Sequence, residues 1–163
     1  MLHDAPQVLQ ALEQSAFASA IRQSTWAYLT ANVGHILALT LFVAAVSIMD
    51  LRLLGAFAAS PPGAVVRPAR RVAMLALLLM AATGFVLFAA EATHVAGNGV
   101  FQIKAVLIAL GVANALLVAR ALGPALDETP AFKPLPARVR AAAALSLVIW
   151  LSVAACGRLI AYF

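Results

Sequence analysis

Four stretches of the chain are almost uninterrupted in apolar residues, and polar positions gather between them. They run from Trp26 to Met49, Val72 to Ala90, Val100 to Ala119 and Ala141 to Tyr162. At about 1.5 Å of rise per helical residue, each is long enough to cross roughly 30 Å of hydrocarbon. None shows the ten-residue alternation of a barrel strand, and backbone in lipid must satisfy its own hydrogen bonds, so each is predicted as a helix. Residues 5–23 carry a different pattern. Val8, Leu9, Leu12, Ala16, Phe17, Ala20 and Ile21 recur on one helical face, with Gln7, Gln10, Glu13 and Gln14 opposite. Asp4 followed by Gln7 matches a capping box, with Pro6 tolerated in the first turn. The pattern predicts an all-α, four-helix transmembrane bundle preceded by an amphipathic helix that lies in the interface or covers the bundle mouth.

Composition agrees. Of 163 residues, 64% are apolar and 10% charged. A soluble domain has roughly a quarter of its residues charged, so lipid is the solvent that suits this exterior. The chain reads as one integral membrane domain over 1–163, in contact with membrane lipid. The net charge of +5 comes from basic residues scattered over the links, which is no nucleic-acid footprint. One cysteine, Cys156, forms neither a disulfide framework nor a cysteine-based zinc site within one chain, and packing as a small hydrophobe suits it. No basic n-region precedes an apolar core at the start, so the first residues are expected to stay on the mature protein.

The links differ in charge. Arg52, Arg67, Arg70 and Arg71 flank or fill the first; Arg120, Lys133, Arg138 and Arg140 do so for the third; the middle link and its flanks carry only Lys104. The positive-inside rule then places the first and third links in the cytoplasm and both termini on the opposite side of a bacterial inner membrane. The proline-punctuated links "SPPGAVVRPARR" and "GPALDETPAFKPLPARVR" read as loops. Asp50 and Arg52 are expected to satisfy each other, nearby helix ends or lipid headgroups.

Several ionisable residues remain in the non-cytoplasmic half. His35 lies roughly 13 Å down the first helix. Glu91 and His94 lie where the second helix leaves the membrane, Lys104 one turn into the third, and Arg158 near the end of the fourth. Ionisable groups within a bilayer are costly and usually face a pathway, cofactor or partner. Glu91 and His94 share a face if the helix persists, with Gly84 two turns below on that face, and Lys104, Gly111 and Asn114 form one broad stripe. Together these residues predict a polar cavity opening outward. The plainer assignments are a His35 bonded to a neighbouring helix, and a Lys104 that pairs with Glu91 or snorkels to the interface.

The stretches "GHILALTLFVAAVSIMDLRLLG", "TGFVLFAAEATH" and "NGVFQIKAVLIALGVANALL" together resemble an uncharacterised family of small four-helix bacterial membrane proteins, itself distantly similar to copper-resistance D membrane domains and HemJ-type protoporphyrinogen oxidases. The resemblance covers about Tyr28 to Arg120. It implies a haem b or porphyrin site, with His35 matching the first-helix histidine and Lys104 the third-helix lysine of the HemJ pattern.

The leading expectation is therefore a haem b-binding membrane protein acting in electron transfer with a redox partner or a larger membrane complex. His35 would be an axial ligand, His94 the second ligand or a gate, and Lys104 with Arg158 would neutralise propionates, beside Glu91. A simple helical count puts His35 about 10 Å deeper than His94, so either the second helix tilts or His35 alone binds iron and Lys104 ligates or pairs with a propionate. The alternatives are a non-enzymatic scaffold subunit packing through small-residue faces such as "AAAALSLVIWLSVAACG", and a proton or ion relay that would need a homo-oligomer to enclose a path. No phosphate loop, nucleophile elbow or usable carboxylate pair points to hydrolysis or nucleotide binding.

Overall fold

The computed structural model describes residues 6–122, 125–160 and 162. The helices are α1 (Gln7–Glu13), α2 (Ala16–Gln23), α3 (Thr25–Leu54), α4 (Pro62–Ala90), α5 (Ala92–Gly97), α6 (Gly99–Leu122), α7 (Ala125–Glu128) and α8 (Ala137–Leu159), with no strand among the described residues. Four of them, α3, α4, α6 and α8, are long and apolar enough to cross a membrane. Their outward faces carry large apolar side chains such as Leu37, Leu75, Leu78, Leu117 and Val148, which only lipid can cover favourably.

The spanning helices form a four-sided bundle with one open side. α3 packs along α4, α8 packs against both α3 and α6, and α4 and α6 make no comparable contact. Phe88 and Phe101 stack with ring centroids 5.4 Å apart, closing the gap between α4 and α6 at the end nearest α1 and α2. Further in, the centre is filled by Phe42 and Trp150, edge to face at 4.6 Å, among Ala38, Ala76 and Met80. Gly111 on α6 makes this layer possible, because a Cβ there would lie 2.8 Å from Trp150 Cζ2. Trp150 thus packs between helices, as its mid-span position predicts.

Local chemistry explains where the elements depart from the hydropathy boundaries. α4 begins at Pro62, ten residues before the apolar stretch at Val72, so the segment read as a loop is helical. Proline at the first helical position needs no N–H partner and presets φ, and it is Pro68, six residues further, that conceals the helix from a sequence reading. The third link also holds the short α7 before α8 starts at Ala137. α3 runs on to Leu54 and stops at Gly55, whose φ of 117° is open to glycine and strained for other residues. Ala56 N–H donates to Leu51 O and Gly55 N–H to Arg52 O, a Schellman closure.

The amphipathic segment is two helices rather than one. The break falls at Ser15, whose hydroxyl donates to Leu12 O and accepts from Ala18 N–H, ending α1 and capping α2. The Asp4 half of the expected capping box lies outside the described residues, and α1 begins after Pro6 with no side-chain cap. Both helices fold over the adjacent end of the bundle. Phe17 of α2 stacks on Phe85 of α4, and Arg22 donates to Ala90 O at 2.9 Å, satisfying a carbonyl at the α4 C-terminus. Glu13 accepts from both Thr93 N–H (2.7 Å) and Thr93 hydroxyl (2.5 Å) at the start of α5. These two hydrogen bonds, hydroxyl first, hold the Glu13 carboxyl below the usual carboxylate range, helped by the charges of Arg22 and His94.

Candidate functional site

Polar side chains within the bundle collect at two levels, one on each side of the Phe42–Trp150 layer. The first is built around His35. Its Nδ1 lies 2.9 Å from Thr83 Oγ1 on α4. The Thr83 hydroxyl has one proton, and its 2.7 Å contact with Leu79 O consumes it. Thr83 then accepts from His35 Nδ1–H, with the Met80 carbonyl a further acceptor for the ring, an arrangement that favours the Nδ1–H tautomer and leaves a lone pair on Nε2. Gly84 lets the ring lie flat against α4, since a Cβ there would be 3.2 Å from His35 Cε1. Gly84 is thus a His35 neighbour rather than the floor of a Glu91–His94 face.

Lys104 on α6 completes this level. It lies near His35, its Nζ is 3.4 Å from where a Cβ on Gly157 of α8 would be, and Cys156 is close by. All four spanning helices thus contribute: His35, Thr83 with Gly84, Lys104, and Cys156 with Gly157. Lys104 turns to α8 and not to Glu91. The stripe of Lys104, Gly111 and Asn114 is the α8-facing side of α6, with Asn114 donating to Ala142 O at 3.0 Å.

The other residues chosen from sequence do not join His35. Glu91 is exposed at the junction of α4 and α5, and His94 is exposed on α5, where its charge acts on Glu13. Arg158 is exposed and donates to the Tyr162 hydroxyl at 2.6 Å, with its guanidinium 4.9 Å from that ring centre. No group of three His, Cys, Asp or Glu side chains among the described residues is placed to hold a metal ion.

The second level lies toward the arginine-rich end, around Asp50. Asp50 and Arg52 are each 2% exposed and turn apart. Arg52 donates through Nη2 (2.7 Å) and Nε (3.2 Å) to Ser60 O, tying the end of α3 to its own loop. Asp50 accepts from the Ser146 hydroxyl on α8, and its Oδ2 has no hydrogen-bond partner among the described residues. Of the partners expected for Asp50 and Arg52, neither takes the other: Arg52 holds the loop that follows its own helix and Asp50 a hydroxyl on α8. The signal was present in the spacing: residues two apart on a helix point to different faces. Thr83 was missed because a threonine within an apolar span is unremarkable until a neighbouring helix supplies its partner.

Beside Asp50 lies a cavity of about 170 Å³ bounded by all four spanning helices. Its walls are apolar apart from Asp50, Arg70, Asn114 and Ser146. Met74 of α4 and Leu116 of α6 line it and are themselves exposed, so it opens toward lipid on the side where α4 and α6 part.

The fold and these two levels define a small all-α membrane protein of four spanning helices, with polar side chains at two levels of an apolar interior. The chain belongs to the family of unknown function DUF6644, whose model matches residues 14–163. No curated protein and no solved structure matches the chain.

Proposed function

We propose that the protein binds haem b through His35 and serves electron transfer within the membrane. The observation that carries this reading is the hydrogen bond from His35 Nδ1–H to a threonine whose own proton is committed to Leu79 O. Metal-bound histidines are held in the same way, the far nitrogen donating to a fixed acceptor so that the near one offers its lone pair. At this level the His35 imidazole would hold the haem, and the Lys104 amine would be a second nitrogen or the partner of a propionate. His94 is exposed on α5, so a bis-histidine site is not supported. When bound, haem would supply one-electron chemistry, its potential set by axial ligands and by burial. His35 would hold it, Thr83 would fix the ring, and Lys104 would place a positive charge nearby. Orientation follows from charge: the arginine-rich end faces the cytoplasm of a bacterial inner membrane and the α1–α2 end the opposite side.

The test is the visible spectrum of the protein purified in detergent from haem-replete cells. A Soret band that His35→Ala abolishes and His94→Ala leaves unchanged is expected. A colourless, metal-free preparation would overturn the reading and leave a packing subunit of a larger membrane complex.

A further inference from the structure

The cavity beside Asp50 has no part in the His35 level. Two observations there point to a ligand: an empty apolar volume open to lipid, and a carboxylate oxygen in its wall, almost wholly buried, with no hydrogen-bond partner among the described residues. A buried acceptor left unmade costs as much as a lost hydrogen bond, so a site that keeps one is suited to an incoming donor.

The size of the space selects the donor. An apolar cavity of roughly 150 Å³ accommodates benzene, whereas sites for larger ligands run to about 300–1,000 Å³. At about 170 Å³ this cavity holds one six-membered ring and no macrocycle. Phe42 and Trp150 present aromatic surface to it. Arg70 also lines it, which disfavours a cationic head and offers a second donor to an oxygen substituent. The opening between α4 and α6 leads into hydrocarbon, so a tail on the ring would remain among lipid chains.

We infer that this cavity binds the head of a lipid-soluble phenol or quinol, one aromatic ring with a hydroxyl that donates to Asp50 Oδ2 and an aliphatic tail that passes out between α4 and α6. The site takes its ligand from the bilayer. Ser146 is a positioning residue, since its hydroxyl occupies the other carboxylate oxygen and aims Oδ2 at the cavity.

The experiment uses the full chain in lipid nanodiscs with Trp26→Phe, which leaves Trp150 in the cavity wall as the only tryptophan. Titration with 4-decylphenol is expected to change Trp150 emission saturably. 4-Decylanisole, which has the same ring but no hydroxyl proton, is expected to bind at least about tenfold more weakly. Asp50→Asn should reduce that preference to about twofold or less. Ala119→Leu, which fills the cavity from α6 and keeps Asp50, should weaken both probes. Equal affinities for phenol and anisole, an undiminished preference in Asp50→Asn, or unaltered binding in Ala119→Leu would each overturn the inference. Should Asp50→Asn fail to fold, the phenol-to-anisole ratio and Ala119→Leu still decide it. None of these readouts depends on a haem signal, so failure here and failure of the His35 reading are distinguishable.

Discussion

The two polar levels use the same four helices and solve opposite problems. At the His35 level the imidazole is held by Thr83 through Nδ1, and glycine lets groups come close: Gly84 beneath the imidazole, Gly157 beside the Lys104 amine. At the Asp50 level the helices stand apart, a cavity remains, and one carboxylate oxygen is unmet. Glycine accounts for much of the difference. Where a helix lacks a Cβ a neighbouring side chain comes close; where Met74 and Leu77 of α4 line the cavity together with Leu116 of α6, a space remains. The tight level fixes the orientation of a ring held between helices, and the open one suits a molecule that comes and goes from lipid.

Removing the layer between the levels should have the largest effect. Trp150 is buried and packs on Phe42, Gly111 and the cavity. Trp150→Ala is expected to destabilise the fold by about 3–5 kcal/mol and to join the cavity to the His35 level. Unfolding in detergent, followed by helical circular dichroism, measures the loss. A change under about 1 kcal/mol would mean that this layer does not separate two sites.

Ser146→Ala tests the open level alone. It deprives Asp50 of its donor while Oδ2 is already unmet, and should cost about 1–3 kcal/mol. Thr83→Val is its counterpart at the closed level. His35 is only partly buried, so the loss there should be smaller, about 0.5–1.5 kcal/mol. Equal losses from the two substitutions would erase the distinction in polar satisfaction drawn here.

How much of this was legible in the sequence depends on what each feature requires. The spans follow from length and hydropathy, which lipid reads residue by residue, so α3, α4, α6 and α8 all lie where the apolar stretches run. His35 and Lys104 stand out because an ionisable group among apolar neighbours is costly wherever the helices pack. Thr83, Gly84 and Ser146 acquire meaning from a partner helix, and their own neighbours in sequence give no sign of it. Asp50 was hidden differently, since an acidic residue near a span end has an adequate interfacial explanation until its burial is seen. His94 was overvalued for a similar reason: sequence gives its distance along the chain, and α5 turns it outward.

A smaller effect is expected from Gly84→Ala. The new methyl group would meet His35 Cε1 at 3.2 Å, closer than most such contacts, and the imidazole would have to shift by a few tenths of an ångström. The overpacking cost, about 1 kcal/mol, is offset by alanine's helix propensity of similar size, so the net change in stability should be small. The more informative readout is the His35 side-chain resonance, which should move in Gly84→Ala and stay fixed in Ala119→Leu at the other level. Movement in both would show that the levels are mechanically joined.

The smallest effect should come from Glu13, which holds α1 against α5 above the closed level and touches neither set of buried groups. Its carboxyl sits below the usual range because Thr93 donates two hydrogen bonds to the ionised form. A group whose folded pKa is depressed contributes stability above its unfolded pKa, near 4.5, and that contribution is lost as pH falls through the lower folded value. Hydrogen exchange at the Thr93 amide, corrected for the intrinsic pH dependence, should therefore be protected at neutral pH and lose protection as the solution is acidified below about 4.5. Glu13→Gln keeps an acceptor but removes the charge, so its protection should be lower at neutral pH and nearly flat across the same window. If Thr93 protection in the parent protein rises on acidification, Glu13 is not what holds α5. If the His35 resonance follows the same acid transition, the helical cover and the closed level are one unit rather than a lid above a separate site.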